Sequence, residues 1–111
     1  MYIIHDNKAM EINKTIGQVI SKSRLTQTRK GEPHFTIRFK YKNRHVPNMY
    51  HIATVQIRNK LARTNYPLIT KGMTLELTGW IEVTKDEQSG REYTNIKADW
   101  IGIPDDKDRV G

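Results

Sequence analysis

The clearest structural signal in this sequence is the stretch FTIRFKYK at residues 35–42. Aromatic and aliphatic side chains occupy its odd-numbered positions, and Thr, Arg or Lys occupy its even-numbered positions. Because successive side chains of a β-strand point to opposite faces of a sheet, this pattern predicts a strand with one buried and one exposed side. The same alternation recurs at residues 53–58 and 73–84, which predicts two more strands of this kind.

Two less regular strands and one short helix complete the predicted architecture. The strands cover residues 12–22 and 93–103, and turn sequences containing Gly, Pro or Asp separate the segments. Residues 60–66 show a short helical pattern that Pro67 would end. Five strands with one helix between the third and fourth predict an all-β protein with the OB-fold, a five-stranded Greek-key barrel.

Length and composition place this barrel in a single domain. A chain of 111 residues is too short for two ordinary domains. We expect one domain over residues 1–111, with a core barrel at 12–103, an N-terminal extension at 1–11 and a short tail at 104–111. The chain has no cysteine, no secretory signal pattern and no apolar run long enough to cross a membrane. We therefore expect a cytoplasmic protein without disulfides or thiolate metal sites.

The charge distribution favours a polyanionic partner. The net charge is +7, to which residues 1–63 contribute +10 and residues 64–111 contribute −3. An excess of this size on one half of the chain favours nucleic acid over acidic proteins or small substrates. The alternative interpretation is a basic surface that contacts solvent alone.

The basic residues collect where an OB-fold binds oligonucleotides, which is across its second and third strands and between the 1–2 and 4–5 loops. Arg38, Lys40 and Lys42 lie on the outward side of the second predicted strand. Like charges at this spacing repel one another, and a bound phosphate backbone would remove that repulsion. The two flanking loops carry Arg29, Lys30, Lys85 and Arg91.

Short motifs spread over residues 12–103 resemble the bacterial and phage single-stranded-DNA-binding proteins. The motifs are INK and IGQV in the first strand, ATVQ and KLA around the third strand, KG and LTG around the fourth, and SG, YT and AD towards the end. Each motif is short, but their order and spacing together match the family pattern. The resemblance implies an OB-fold that coats single-stranded DNA, independently of sequence, in replication or recombination. It also implies a homo-oligomer, either a dimer or a tetramer, and contacts with replication or recombination proteins.

The chain departs from this family at the positions where bases stack on aromatic residues. The corresponding residues here are His45, Ile52, Arg58 and a residue near Asp86, none of which is Phe, Tyr or Trp. Stacking would then use aromatic residues at other positions, or be replaced by planar Arg side chains and electrostatic contacts. The cellular members of the family also end in an acidic tail with a hydrophobic tip. The sequence after residue 103 lacks that pattern, so the chain is more similar to a phage-encoded member acting in the host cytoplasm.

Three aromatic residues are candidates for stacking: Trp80 and Tyr93, which alternation places on the outward face, and Tyr50 at the start of the third strand. We expect Trp80 to pair with Lys97 of the last strand, where a base or a second subunit would cover the indole ring. Trp100, Phe35 and Phe39 are expected in the core. The predicted nucleic-acid-binding residues are Arg29, Lys30, Arg38, Lys40, Lys42, Tyr50, Arg58, Trp80, Lys85, Arg91, Tyr93 and Lys97.

No catalytic or metal-binding pattern is evident in the sequence. The four histidines lack the spacing of a zinc site, and there is no Gly-rich phosphate loop or nucleophile motif. The carboxylates are not clustered as a two-metal nuclease requires. We expect no enzyme activity, no metal and no cofactor. The alternative functions are RNA binding on the same fold and a structural or adaptor role, in which Trp80 and Ile52 contact a protein.

Overall fold

The computed structural model describes residues 3–43 and 46–103. His45 and the predicted tail at 104–111 lie outside the described residues. Within the described part, the elements are β1 (Ile3–Lys22), β2 (Thr26–Gln27), β3 (Pro33–Lys42), β4 (Tyr50–Arg58), α1 (Asn59–Asn65), β5 (Thr74–Asp86) and β6 (Glu92–Gly102).

Five of these strands close into a barrel. β1 pairs with both β3 and β5, β3 pairs with β4, β5 pairs with β6, and β4 and β6 pair in parallel. The resulting order β1–β3–β4–β6–β5–β1 is that of an OB-fold, so the predicted all-β Greek-key barrel is confirmed. The two-residue β2, which the sequence pattern does not predict, pairs with the start of β3.

The inward side chains of the strands form the core. Phe35, Ile37 and Phe39 of β3 are buried, as expected, and so are Ala53, Val55, Ile57, Leu75, Leu77 and Ile96 from the other strands. Alternation therefore predicts the buried side of these strands correctly. Gly17 of β1 lies against the Phe39 ring and the backbone of β3, where a Cβ atom would collide. Glycine at this position lets β1 close the barrel on β3.

The short helix α1 lies close to the predicted bounds and is held by a residue of β1. The Lys22 ammonium donates hydrogen bonds to the carbonyl oxygens of Tyr66 and Ile69, at 2.8 and 3.0 Å. It also lies 3.8 Å from the centroid of the Tyr66 ring, which packs edge-on against Phe35. A cation placed on free carbonyl groups stabilises a helix C-terminus. No helix in the described part of the chain has the length and apolarity needed to span a membrane.

Two strands extend beyond the predicted barrel. β1 begins at Ile3 rather than at residue 12, and its first residues pair with the end of β5. In β5 the predicted inward parity holds as far as Ile81, but Val83 is only partly buried and Thr84 is buried instead. This end of the β5–β6 hairpin lies beyond the last pair between β4 and β6, so it no longer faces the barrel interior.

The prediction that Trp100 belongs to the core is wrong. Thr78 pairs with Trp100 and Gly79 pairs with Ala98, so Asp99 is the additional residue of a β-bulge in β6. The additional residue moves Trp100 from the inner to the outer side of the barrel, where 42% of its surface is exposed. Its indole ring lies over Gly102.

Candidate nucleic-acid interface

A row of three exposed cations runs along β3. Arg38, Lys40 and Lys42 all lie on its outward side, as predicted. Side chains two residues apart on a strand are about 7 Å from each other, so the three charges repel. In the β3–β4 ladder these cations stand opposite the uncharged Thr54, Ile52 and Tyr50.

Tyr50 places an aromatic ring beside this row. The ring is 53% exposed, and the Lys40 ammonium lies 4.8 Å from its centroid. Ile52, which stands opposite Lys40, is also exposed. An exposed ring next to a cation is an arrangement that can hold the base and the phosphate of one nucleotide together.

The turn at residues 28–32 carries the exposed Arg29 and Lys30. Backbone hydrogen bonds of 2.8 Å close this turn, and Gly31 adopts the positive φ of 79° that favours glycine. The turn precedes the end of β3 that pairs with Arg58. The two cations therefore lie at the end of the β3–β4 face where β4 finishes.

The β5–β6 hairpin lies at the opposite end of that face, because β6 runs parallel to β4 and both strands start there. Exposed Lys85 and Arg91 flank its turn. Asp86 is buried and organises the turn, since its carboxylate accepts hydrogen bonds from the Gln88 amide at 3.1 Å and the Ser89 hydroxyl at 3.0 Å. The buried Asp86 carboxylate therefore stabilises the turn, and the two flanking cations are exposed to solvent.

Trp80 and Lys97 lie on the outer surface but away from the β3 row. Trp80 pairs with Lys97, as predicted, and it is 46% exposed. Lys97 in turn pairs with Gln56 of β4. Adjacent strands lie about 4.8 Å apart, so Trp80 is three strand spacings, or roughly 14 Å, from β3 when counted through β6 and β4. The exposed Tyr93 occupies the same side of β6 as Lys97.

The predicted residues thus fall into three groups rather than one. The β3–β4 face brings together Arg38, Lys40, Lys42 and Tyr50. The two turns at its ends carry Arg29, Lys30, Lys85 and Arg91. The remaining four residues lie elsewhere on the outer surface. Arg58 is the last residue of β4, Trp80 lies on β5, and Tyr93 and Lys97 lie on β6.

Sequence reasoning missed a depression where β4, α1 and β6 meet. Its volume is about 380 Å³, and it is lined by Gln56, Arg58, Asn59, Lys60, Leu61, Lys97, Ala98 and Asp99. Five of these residues belong to the end of β4 and the start of α1, and the other three belong to β6, which lies far away in the sequence. Alternation, with Ile96 and Ala98 on the inner side, places Asp99 on the outer side, but its position beside α1 is evident only in the folded chain.

Potential metal ligands are dispersed in the part of the chain that the structure describes. Within it, no group of three or more His, Asp or Glu side chains could hold an ion. His51 instead interacts with Asn43, at 2.7 Å between Nε2 and Nδ2, and its ring lies 5.4 Å from that of Tyr41. Burial raises the pKa of the Tyr41 hydroxyl.

Comparisons with known proteins bear on the fold. No protein-family model and no curated protein matches the sequence. A small single-stranded DNA-binding protein from Streptomyces coelicolor has a similar structure, with a TM-score of 0.76 at 18% identity over 90% of this chain and 98% of that one. The protein PriB from Ralstonia solanacearum gives a TM-score of 0.63 at 12% identity, over 85% and 99% of the two chains. The SSB domain of a Synechococcus protein gives 0.57 at 11% identity, over 84% and 91%. The similarity at these identities is one of fold.

Proposed function

We propose that this protein binds single-stranded DNA independently of base sequence and protects it during replication or recombination. The observation that carries the proposal is the row of Arg38, Lys40 and Lys42 on the outer side of β3, with no carboxylate opposite any of them. A phosphate backbone along β3 would replace the repulsion among these cations by attraction. A similar structure described as a single-stranded DNA-binding protein supports the same function.

In this proposal the strand runs along β3 from one basic turn to the other. Arg29 and Lys30 contact phosphates at one end, and Lys85 and Arg91 contact them at the other. Contacts to phosphates alone carry no sequence information, so binding would depend little on the bases. The basic groups at both ends also explain how a flexible strand could be kept on one path across the barrel.

Bases would stack on exposed flat side chains next to this path. Tyr50 is the first candidate, because its ring already lies beside Lys40. Arg58 offers a planar guanidinium group at the end of β4. Trp80 and Tyr93, with Lys97 beside Trp80, extend the contact for a strand that continues around the barrel.

We also propose that the protein forms a homo-oligomer, a dimer or a tetramer, through the outer side of β1, β5 and β6. Ile16 and Trp100 are exposed on this side. Ile16 pairs with Glu76, which pairs with Gly102, and the Trp100 indole lies over that glycine. Ile16 and Trp100 therefore lie at the two ends of one row of paired residues that crosses β1, β5 and β6. A second copy of the chain bound to this row would remove both side chains from water.

A role as a protein-interaction subunit is the second candidate function. Ile52 and Trp80 are large, apolar and exposed, and a protein partner could cover them instead of a base. The cation row on β3 favours nucleic acid over this candidate. A cytoplasmic location, contacts with replication or recombination proteins, and the absence of enzyme activity remain predictions. So does a phage origin, which the structural neighbours do not support.

The proposed function is tested by competition for a fluorescently labelled dT oligonucleotide, followed by anisotropy. Unlabelled dT should displace the label best, and duplex DNA least, because its bases are stacked and paired. A uridine RNA of equal length tests the alternative of RNA binding, since it differs mainly by its 2′-hydroxyl groups. Failure to bind the labelled strand at low salt would contradict the proposal and favour the protein-interaction role.

A further inference from the structure

The depression between β4, α1 and β6 is large enough to receive one base and has a mostly polar and charged lining. Its volume of about 380 Å³ lies within the roughly 300–1,000 Å³ of small-ligand sites. It lies beyond the end of the cation row, since Arg58 belongs to the lining and is the last residue of β4. A strand leaving the β3–β4 face on this side would pass over it.

The positive charge of the depression comes from Arg58, Lys60 and Lys97. The Arg58 guanidinium lies beside Gln56, since its Nη2 donates a hydrogen bond of 2.9 Å to the Oε1 of that residue. A guanidinium group offers a flat, cationic surface on which a base can stack. The two lysines remain available for the adjacent phosphates.

Asp99 is the single acidic residue of the lining, and it follows Ala98 as the additional residue of the β-bulge in β6. β-Bulges occur often next to functional sites. A carboxylate repels phosphate groups, so its presence is unfavourable in a site for phosphates alone. It does accept hydrogen bonds from the exocyclic amino groups of bases, of which N4 of cytosine is an example.

We infer that this depression binds one base of the strand, stacked on Arg58, and that Asp99 makes the subsite prefer bases with an exocyclic amino group over thymine. The inference rests on the proposed single-strand binding and adds a base preference to it. Thymine presents a carbonyl oxygen where cytosine presents its amino group. The carbonyl oxygen of thymine in that orientation is repelled by the carboxylate, whereas the amino group of cytosine donates a hydrogen bond to it.

The test compares dissociation constants for dC and dT oligonucleotides of equal length, with the wild-type protein and with Asp99→Asn. The Asn side-chain amide can both donate and accept a hydrogen bond, so the variant should bind cytosine and thymine with similar affinity. We expect the ratio of the dT to the dC dissociation constant to fall about fivefold or more in Asp99→Asn. The control is Glu92→Gln, which removes one negative charge at the far end of the same strand and should leave the ratio unchanged.

The outcomes separate this inference from the function on which it rests. Asp99 is exposed, so thermal melting should show the variant folded with a midpoint close to the wild type. If Asp99→Asn binds dC and dT more tightly by the same factor, Asp99 acts only as a repulsive charge and the base subsite is wrong, while the proposed function stands. If the wild type binds neither oligonucleotide, both the subsite and the proposed function are wrong.

Discussion

The two tryptophans lie near each other on the outer side of the β5–β6 hairpin, yet we expect them to serve different functions. Trp80 stands beside a cation, Lys97, whereas Trp100 lies beyond the bulge with its ring over Gly102. Trp80→Ala should weaken single-strand binding by about 1–3 kcal/mol, the usual contribution of one stacked base. The midpoint of thermal unfolding should barely change, because the indole is exposed. Anisotropy titration with a dT oligonucleotide and a thermal melt measure the two effects.

Trp100→Ala is the matched control for this experiment, since it removes the same side chain from the same pair of strands. It should leave the affinity for a short oligonucleotide unchanged and lower the mass in solution, measured by sedimentation, if the second copy covers Trp100. Loss of mass in Trp80→Ala with no direct loss of binding would assign Trp80 to the subunit interface instead. An early thermal transition in Trp80→Ala would show that its ring supports the fold.

The segment that follows helix α1 is bound to β1 by one side chain, Lys22. The Lys22 ammonium satisfies the carbonyl groups of Tyr66 and Ile69, and Lys22→Met keeps the length of the side chain while removing its donors. The variant should lose about 1–3 kcal/mol of unfolding free energy, because hydrogen bonds to a charged group are lost at a partly buried position. Urea unfolding measures this loss. Lys71→Met, at an exposed turn, is the control and should change the free energy by less than about 0.5 kcal/mol.

The cation row belongs to a single element, β3, so its contribution can be removed without changing the core. Replacing Lys40 and Lys42 together by Ala should weaken binding of all single strands alike, because phosphate contacts are independent of sequence. The slope of log affinity against log salt should become shallower by about one to two. The double variant Lys14→Ala and Lys71→Ala removes two exposed lysines away from β3 and should keep the slope. Selective loss for one base sequence would contradict contacts to the backbone.

Elements with simple alternation were predictable from the sequence, and those with irregular pairing were not. In β3 one parity is apolar throughout, so burial of Phe35 and exposure of Lys40 follow from the pattern. In β6 the same rule places Trp100 inside, and it fails because one extra residue at Asp99 reverses the faces. The start of β1 at Ile3 depends on pairing with the far end of β5, which no local signal encodes. The same distinction holds for the candidate site. The cation row on β3 was predictable from the sequence, whereas the depression beside α1 is formed by elements that only the folded structure brings together.

The whole molecule combines two surfaces on one barrel. The β3–β4 face with its basic turns lies on one side, and the outer side of β1, β5 and β6, with exposed Ile16 and Trp100, lies on another. An OB-fold barrel has enough surface for both because five strands turn their outward side chains around its full circumference. A second copy bound through the outer side of β1, β5 and β6 would therefore leave the β3–β4 face open to a strand.

The salt dependence of binding by the intact protein tests whether these cations act together. The turns and β3 supply seven basic side chains to the proposed path: Arg29, Lys30, Arg38, Lys40, Lys42, Lys85 and Arg91. If about four to six of them neutralise phosphates on one protomer, log affinity should fall against log salt with a slope of roughly −3 to −4, at about −0.7 per contact. Anisotropy titrations with a dT oligonucleotide across a series of salt concentrations give this slope directly. A slope near zero would mean that binding releases few counterions, and it would contradict an electrostatic path along β3 even in a protein that binds the strand tightly.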